Sequence, residues 1–363
     1  MNVYIPLYLF ILLFCLFVKG KNSINIKLFV SLGLIFLMMA FRKNWGGDYM
    51  AYENWFDLFN SYNAKELAQL TEEETRSEIG YRFLCLICPS FRVVLIVSSL
   101  FISVSLFFFF KEFIPEKYFP YAFTILFFDK HLLMGTSSIR TGIAFCFFLY
   151  AIIALSKNRK ILAALIMPLG ALFHTGVLLF YPVILLGKGS IKINKNVLLF
   201  ICFILAVGSV IFANQIIAAA DYLTSSIGIF NRYEEYMEET VDTNLGLGIV
   251  FIIMEFIMLI PLIDVSSTKG LSNKDYIVLK LAVIWIFLMI APSFGLSERL
   301  FFYLDYFIVA AVPIVVNSYS KNNNSSHSLA FFFKYYLIVY YFWSFSHYLS
   351  DPHFVAVWAH YNF

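Results

Sequence analysis

The sequence predicts an all-α, polytopic integral membrane protein with about 11–12 transmembrane helices. Hydrophobic residues make up 61% of the 363 residues and charged residues only 13%, which leaves more apolar surface than a water-soluble core of this size could bury. Many apolar runs approach the roughly 20 residues that a helix needs to cross the hydrocarbon layer. Alternating, strand-like segments are absent from the sequence, so we expect spanning helices rather than barrel strands.

The apolar stretches follow one another along the whole chain. The first, Val3–Val18, is expected to remain as a span, because neither a basic start nor a small-residue cleavage site flanks it. No internal repeat and no Pro- or Ser-rich linker divides the chain, so residues 1–363 are expected to form a single transmembrane domain. The later stretches are Leu28–Phe41, Val93–Phe110, Tyr118–Phe128, Ile139–Leu155, Ile161–Leu186, Val197–Ile211, Gly246–Ile263, Tyr276–Ile290, Leu300–Val316 and Phe331–Phe345.

Clusters of Lys and Arg predict which loops are cytoplasmic. The second and third clusters flank Ile161–Leu186, and one span cannot have both of its ends on the same side. We therefore expect residues 161–187 to form a transmembrane hairpin or re-entrant pair that turns near His174, beyond Pro168 and Gly170. Alternation then makes residues 42–92 and 214–245 the larger extracytoplasmic loops. The clusters are Lys19, Lys21 and Lys27; Lys157, Arg159 and Lys160; and Lys188, Lys192 and Lys195.

Under this topology the distinctive polar residues gather at the outer face. Charges at membrane level are costly unless they face a cavity or a ligand, so we expect a reaction centre at this face. Five separate pieces of chain contribute to it. They are Arg42 with Asp48, Glu78, Ser138 with Arg140, His174, and Glu298 with Arg299.

Each of these residues also has a structural interpretation. Arg140 and Arg299 fit the pattern of interfacial anchors whose charged heads reach towards water. Asp48 fits the cap of a helix that runs on from it, and His174 could hydrogen-bond within the hairpin. The order of the polar motifs along the chain separates these alternatives better than any single residue does.

In chain order the motifs are a basic residue before Gly-Asp-Tyr-x-x-Tyr, then Glu-x-Gly-Tyr, Ser-x-Arg, Ala-x-x-His and Arg-x-x-x-Tyr. Here they stand at Arg42 with 47–52, at 78–81, at 138–140, at 171–174 and at 299–303. As a set they resemble the EpsG family, which belongs with the Wzy-like polymerases of O-antigen, capsule and exopolysaccharide. The resemblance covers the chain from about Leu28 to Tyr303. It departs at Thr141, where we expect Gln.

The resemblance implies a membrane glycosyltransferase that joins undecaprenyl-pyrophosphate-linked oligosaccharides at the periplasmic face of the bacterial inner membrane. A GT-C-like architecture is compatible with it, and membrane lipid, a chain-length regulator and a flippase are the expected partners. No cofactor is expected, and a net charge of +3 is too small to indicate nucleic acid. The five cysteines lie in or beside apolar runs, which predicts neither a disulfide nor a metal site.

Arginine is the side chain best suited to a departing pyrophosphate, because its planar fork of donors matches phosphate oxygens. We therefore assign pyrophosphate binding to Arg140 and Arg299, with Arg42 as a weaker candidate.

The acceptor hydroxyl needs a base with a pKa near the working pH. The candidates are His174, Asp48 and Glu78, and His174 fits best on its intrinsic pKa. Tyrosines near these residues could stack on sugar rings, with interfacial anchoring as the alternative. They are Tyr49, Tyr52 and Tyr81.

Two other classes of protein stay open at this point. A lipid-linked oligosaccharide flippase would carry charges along a central path, whereas only Glu255 and Asp305 lie clearly within spans, where they could be interhelical hydrogen-bond partners. An O-antigen ligase or a membrane acyltransferase would share an outer site with Arg and His. The tandem Gly-Asp-Tyr and Glu-x-Gly-Tyr elements favour the polymerase.

Overall fold

The computed structural model describes residues 4–20, 22–43, 48–70, 77–128, 138–186, 195–211, 245–290, 297–321 and 327–350. The regular secondary structure of these residues is helical, which confirms the all-α fold class. Among them, four helices are long and apolar enough to cross a membrane: Ser23–Ala40, Phe91–Phe113, Ile139–Ser156 and Phe302–Ser320. The protein is therefore an all-α polytopic membrane protein, and the total of 11–12 spans stays a prediction.

The chain divides into two units, of which the first comprises Met1–Leu186 with Tyr336–Phe363 and the second Gly187–Tyr335. A single transmembrane domain stays a prediction. The helices of the first unit are α1 (Tyr4–Phe17), α2 (Ser23–Ala40), α3 (Tyr49–Asn60), α4 (Ala64–Gln69), α5 (Ile79–Ile87), α6 (Phe91–Phe113), α7 (Phe119–Phe128), α8 (Ile139–Ser156) and α9 (Lys160–Ala171), with 3-10 helices at Glu116–Tyr118 and Thr175–Leu185.

The second unit contains α10 (Lys195–Ile211), α11 (Leu245–Ser266), α12 (Asn273–Ile290), α13 (Ser297–Lys321) and the start of α14 (His327–Ser350). Helices α11, α12 and α13 pack against one another. Trp285 of α12 donates a hydrogen bond to the buried Asp305 of α13, so Asp305 does link two helices. The side chain of Glu255 lies outside the described residues.

Most of each apolar stretch of the sequence is helical where the structure describes it, and Ile161–Leu186 is interrupted by a turn at residues 172–174. The polar region 42–92 adds three further helices, α3, α4 and α5. Helix α3 forms there because its buried residues, Tyr49, Tyr52, Phe56 and Phe59, recur on one face at helical spacing. Helix α4 begins with a capping box, in which the Asn63 side chain accepts hydrogen bonds from the first turn. The aromatic face of α3 packs on α5 and on the start of α6.

Helix α6 is central to the first unit, because it packs on both α2 and α8, and α8 packs in turn on α9. Helices α8 and α9 approach closely at Gly170, where an added Cβ would lie 3.1 Å from the carbonyl oxygen of Ala144. After α9 the chain turns through Leu172 to His174, and the 3-10 helix Thr175–Leu185 packs back on α9. The chain therefore reverses direction at His174, and the membrane placement of this hairpin stays a prediction.

Candidate active site

Glu78 occupies the residue before α5, and its side chain is directed into the protein instead of capping that helix. The side chain is only 3% exposed. Its Oε2 accepts a hydrogen bond from Nη1 of Arg140 at 2.6 Å, and its Oε1 lies 3.3 Å from Nδ1 of His174. One carboxylate thus joins the start of α5, the start of α8 and the tip of the hairpin.

Arg140 lies in the first turn of α8 and is enclosed by polar and aromatic partners. Besides Glu78, its Nε donates a hydrogen bond to the hydroxyl of Tyr52 at 3.3 Å. The guanidinium carbon lies 4.9 Å from the ring centroid of Trp55 and 5.8 Å from that of Tyr52. With 18% of its side chain exposed, Arg140 is held within the protein, whereas a snorkelling anchor would extend its charge into water.

A chain of hydroxyl groups continues from Arg140 along the first turn of α8. The Tyr52 hydroxyl lies 3.3 Å from Oγ of Ser138, and that oxygen lies 3.0 Å from Oγ1 of Thr141. Thr141, which stands where the family resemblance led us to expect Gln, therefore hydrogen-bonds into the network through Ser138.

The Glu-x-Gly-Tyr motif positions Glu78 through its glycine. The backbone N–H of Gly80 donates a hydrogen bond to the carbonyl oxygen of Leu172 at 2.7 Å. A Cβ added at Gly80 would lie 2.6 Å from that oxygen, so a side chain there would push the two backbones apart. Gly80 is two residues after Glu78 and Leu172 is two residues before His174, so this contact joins the two backbone segments that carry Glu78 and the imidazole.

The three candidate sugar-binding tyrosines are buried, with exposures of 4% for Tyr49, 1% for Tyr52 and 0% for Tyr81. Tyr49 packs edge-on against Phe91, and Tyr52 packs edge-on against Tyr81. The Tyr81 hydroxyl donates to the carbonyl oxygen of Tyr52 at 3.3 Å. In this structure the rings support the Arg140 site by packing, which leaves little ring surface for a sugar; sugar stacking stays a prediction.

The electrostatics of Glu78 bear on its candidacy as the base. Burial raises the pKa of its carboxyl group, but the hydrogen bond to His174 and the charge of Arg140 outweigh burial and lower the pKa from 4.5 to about 2. A carboxylate with so low a pKa is a weak proton acceptor near neutral pH. Glu78 is better suited to provide a fixed negative charge beside Arg140 and His174.

His174 precedes the 3-10 helix of the hairpin, and 12% of its side chain is exposed. Its Nδ1 faces a carboxylate that stays ionised, so we infer the tautomer in which Nδ1 carries the proton and donates it to Glu78. Nε2 is then the nitrogen that can accept a proton. A Cβ added at Gly176 would lie 3.0 Å from Nε2, so the glycine leaves room for the imidazole.

The structure does not bring every candidate to this cluster. Asp48 stands immediately before α3, as a capping residue would, but it is exposed and makes no side-chain hydrogen bond to the helix end. Arg42 is 3% exposed, and its carbonyl oxygen accepts a hydrogen bond from Nη1 of Arg92 at 2.8 Å. The side chains of Glu298 and Arg299 lie outside the described residues, so pyrophosphate binding by Arg299 stays a prediction.

The sequence reasoning missed Trp55, which contacts Arg140 in the site, and Arg92, which contacts the end of α2. Trp55 follows Tyr52 by three residues on a helix, so the two rings share a face, and this spacing could have identified it. Arg92 donates to the carbonyl oxygens of both Ala40 and Arg42, which satisfies the end of α2, and no sequence pattern signals that contact.

The arrangement can bind an anion and accept a proton within one cluster. A guanidinium offers paired donors to phosphate oxygens, and an imidazole oriented by a carboxylate is a common general base. The EpsG family model matches residues 25–362, a range that includes every residue of this cluster. No curated protein and no solved structure matches the chain.

Proposed function

The chain belongs to the EpsG family of Wzy-like polymerases, and on that premise we propose that it joins undecaprenyl-pyrophosphate-linked oligosaccharide repeat units by glycosyl transfer. The family supports a polysaccharide polymerase role in general. The site that we propose for the reaction is the cluster of Glu78, Arg140 and His174, and the observation that carries it is the single carboxylate shared by the arginine and the imidazole. We place this site at the periplasmic face of the bacterial inner membrane.

The proposed reaction has one bond made and one bond broken. The hydroxyl oxygen of the acceptor sugar attacks the anomeric carbon of the growing chain, and the bond from that carbon to the lipid pyrophosphate breaks. His174 takes the hydroxyl proton on Nε2, and the undecaprenyl pyrophosphate leaves with the electron pair of the broken bond. Arg140 stabilises the charge that develops on the leaving group.

The geometry gives Glu78 a supporting part in this reaction. Its Oε1 holds the imidazole by Nδ1, so that Nε2 is available for the acceptor, and it stabilises the imidazolium that forms. The cluster lies at the ends of α5, α8 and the hairpin, whereas a flippase should carry charges along a path through the spans. This placement favours a polymerase over a flippase.

A purified assay tests the role of His174. The wild-type protein and His174→Gln, in liposomes with a lipid-linked repeat unit, are compared by the length of the polymer on a gel. Glutamine cannot serve as the base, so we expect substrate binding without polymer. Lys157→Gln, at the opposite end of α8, is the matched control and should polymerise normally. Wild-type turnover by His174→Gln would remove His174 from the reaction.

Deletion of the protein in cells distinguishes the functional classes. A polysaccharide gel that retains a single repeat unit but loses the ladder indicates a polymerase. Loss of every repeat unit from the acceptor indicates a flippase, and free polymer indicates a ligase.

The side of the membrane is tested with single cysteines at Thr175 and Asn158, in a cysteine-free protein. These residues lie beside the site and at the other end of α8, respectively. An impermeant thiol reagent applied to intact spheroplasts should label position 175 and spare position 158. The reverse pattern would place the site in the cytoplasm.

A further inference from the structure

Glu78 interacts with two groups through separate oxygens. Arg140 is 2.6 Å from Oε2, and His174 is 3.3 Å from Oε1. Of the three side chains, Glu78 is 3% exposed, His174 12% and Arg140 18%. Charges this close and this shielded from water are weakly screened, so a change of charge at one partner is felt at the other.

We propose that Glu78 couples the binding of a pyrophosphate anion at Arg140 to the uptake of a proton at His174. Glu78 is a positioning residue in this role, since it acts through its two partners. The proposal rests on the proposed function in one respect, which is that the anion bound at Arg140 is the pyrophosphate of the lipid-linked donor.

The sign of the coupling follows from the charges. Before the donor binds, the positive charge of Arg140 offsets the negative charge of Glu78, and a proton on His174 would add an uncompensated charge. A bound pyrophosphate engages the guanidinium and brings negative charge of its own. The field of Glu78 then acts on His174 with less opposition, which favours the imidazolium. Donor binding therefore raises the proton affinity of His174, and the molecules whose imidazole is still neutral after the donor binds are the ones that accept the acceptor's proton.

Thermodynamic linkage makes this coupling reciprocal. If an anion at Arg140 favours a proton on His174, then a proton on His174 must favour the anion at Arg140 by the same factor. After transfer the site holds an imidazolium and an undecaprenyl pyrophosphate, the combination that binds most tightly. The lipid product should consequently leave more readily once His174 has lost its proton.

Other ionisable groups near the imidazole are few in the part of the chain that the structure describes. Glu78 is the ionisable group in ion-pair or hydrogen-bond contact with His174 there, and it approaches from the start of α5. Helix α8 contributes Arg140, and α3 contributes the Tyr52 hydroxyl, which contacts Arg140. On the hairpin itself, the Tyr181 hydroxyl is bonded to the carbonyl oxygen of Ala164, away from the tip.

Titration calorimetry with farnesyl pyrophosphate, a soluble prenyl pyrophosphate, measures the coupling directly. Titrations of the full-length protein in detergent, in two buffers of different ionisation heat, give the number of protons taken up on binding. We expect uptake of a fraction of one proton per site near neutral pH in the wild type, since the sites that stay neutral are those that act as the base. We expect little uptake beyond that of the probe itself in His174→Gln. Between pH 8 and pH 5.5 the wild-type affinity should rise about tenfold more than that of His174→Gln, within the range of about 5- to 150-fold found for coupled sites.

Glu78→Gln tests the carboxylate separately from the proton acceptor, because it removes the negative charge of Glu78 and keeps His174. It should bind the probe with reduced proton uptake, whereas Glu116→Gln, which alters another ion-paired glutamate, should match the wild type. If Glu78→Gln does not yield folded protein by gel filtration, the comparison with His174→Gln decides alone.

Equal proton uptake in the wild type and His174→Gln would overturn the coupling and leave anion binding at Arg140 intact. Absence of probe binding would overturn the coupling as well, since the coupling requires an anion site. The polymer assay is separate from both measurements, so a failed coupling and a failed polymerase assignment give different results.

Discussion

The first unit has acidic residues paired with basic ones at both ends of α8, and the two ends differ in how the pairs are built. At the Glu78 end, one carboxylate contacts both Arg140 and His174. At the opposite end, Lys157 pairs with Glu112 at 3.2 Å, and Lys27 of α2 pairs with Glu116 at 2.7 Å. The 18 residues of α8 separate these ends by about 27 Å.

The difference lies in the chemistry and the exposure of the groups. The lysine pairs bring together point charges, and their acids are 25% and 28% exposed, so they suit a tie between neighbouring helices. The pKa of Glu116 is lowered, first by its hydrogen bond to Lys27 and then by that to Ser23. The Glu78 end instead combines a planar guanidinium and an imidazole with a carboxylate that is almost fully buried. This end therefore combines an imidazole that can transfer a proton with a guanidinium that can bind phosphate oxygens.

Glu78→Gln and Glu116→Gln should give the largest contrast between the two ends. Glu78→Gln removes the charge that compensates Arg140 in a site with little water, and breaking such a pair costs about 3–5 kcal/mol. The neutral amide also removes the carboxylate that orients His174. We expect a large fall in the unfolding free energy and no polymer.

Glu116→Gln should cost about 1 kcal/mol, because its pair is partly exposed, and should leave polymer length unchanged. Both values can be measured by chemical unfolding in detergent, and polymer length on a gel. Equal losses of polymer in the two variants would show that the two ends serve the same structural purpose.

Arg140→Lys and Lys157→Arg exchange the two cation types between the ends. Lysine keeps the charge at position 140 but loses the fork that can grip two phosphate oxygens. Loss of a transition-state contact of about 2.7–4 kcal/mol would slow turnover by roughly two to three orders of magnitude. Polymer should then shorten towards single repeat units, with unchanged protein in the membrane.

Lys157→Arg should have no effect, since either cation can pair with Glu112. Full-length polymer at the normal rate from Arg140→Lys would show that Arg140 is an anchor or a structural partner of Glu78, and not a pyrophosphate ligand.

Gly80→Ala tests how the backbone maintains the Glu78 end. The new Cβ would lie 2.6 Å from the carbonyl oxygen of Leu172, so α5 and the hairpin turn must move apart. Overpacking of this kind costs about 1–3 kcal/mol, and the distance from Glu78 to His174 should lengthen with it. We expect a lower melting temperature and a turnover reduced by more than the stability loss explains.

Gly33→Ala is the matched control, because Gly33 lies within α2 with nothing within 4 Å of its added Cβ. Alanine should be neutral or stabilising there. Normal turnover by Gly80→Ala would mean that the site tolerates a looser contact between α5 and the hairpin.

Apolar run length predicted the fold well, because burial in lipid requires long helices regardless of their neighbours. The pattern of Lys and Arg indicated a break at His174, and the chain does turn there. The helices in the polar region 42–92 were harder to place, because their stability comes from aromatic packing against α5 and α6 that no local pattern describes. The contact between Gly80 and Leu172, which joins segments far apart in sequence, could not be read from either segment alone.

The sequence predicted which residues form the site, but it did not predict which of them contact one another. Glu78, Arg140 and His174 do lie together, but the sequence offered Glu78 as a base and did not indicate that it would bridge the other two. The burial of Tyr52 and Tyr81 follows from the tertiary packing of α3 on α5, whereas the sequence only showed aromatic residues near a membrane boundary.

The two ends of α8 also differ in the aromatic ring beside the cation, and Trp55 gives the smallest expected effect. Arg140 has this ring, whereas no aromatic ring lies within cation–π contact of Lys27 or Lys157 among the described residues. Its ring lies 4.9 Å from the guanidinium carbon of Arg140, and such a contact contributes about 0.5–2 kcal/mol, depending on how much water is excluded. The tryptophan is partly buried, so it also restricts the rotamers open to Arg140. A phenylalanine retains an aromatic face, and an alanine removes it.

Trp55→Ala should therefore lower turnover about fivefold, which corresponds to about 1 kcal/mol, and Trp55→Phe should lower it less. The ratio of the turnover of Trp55→Phe to that of Trp55→Ala is more informative than either turnover alone. If the effect were only a loss of packing, both variants would be less stable and phenylalanine would not restore turnover. Leu58→Ala, on the exposed side of the same helix, controls for a general effect on α3. If Trp55→Phe and Trp55→Ala reduce turnover equally, the ring does not act through its aromatic face. Arg140 is then positioned by Glu78 and Tyr52, and the aromatic lining of the Glu78 end is packing of the same kind as elsewhere in the unit.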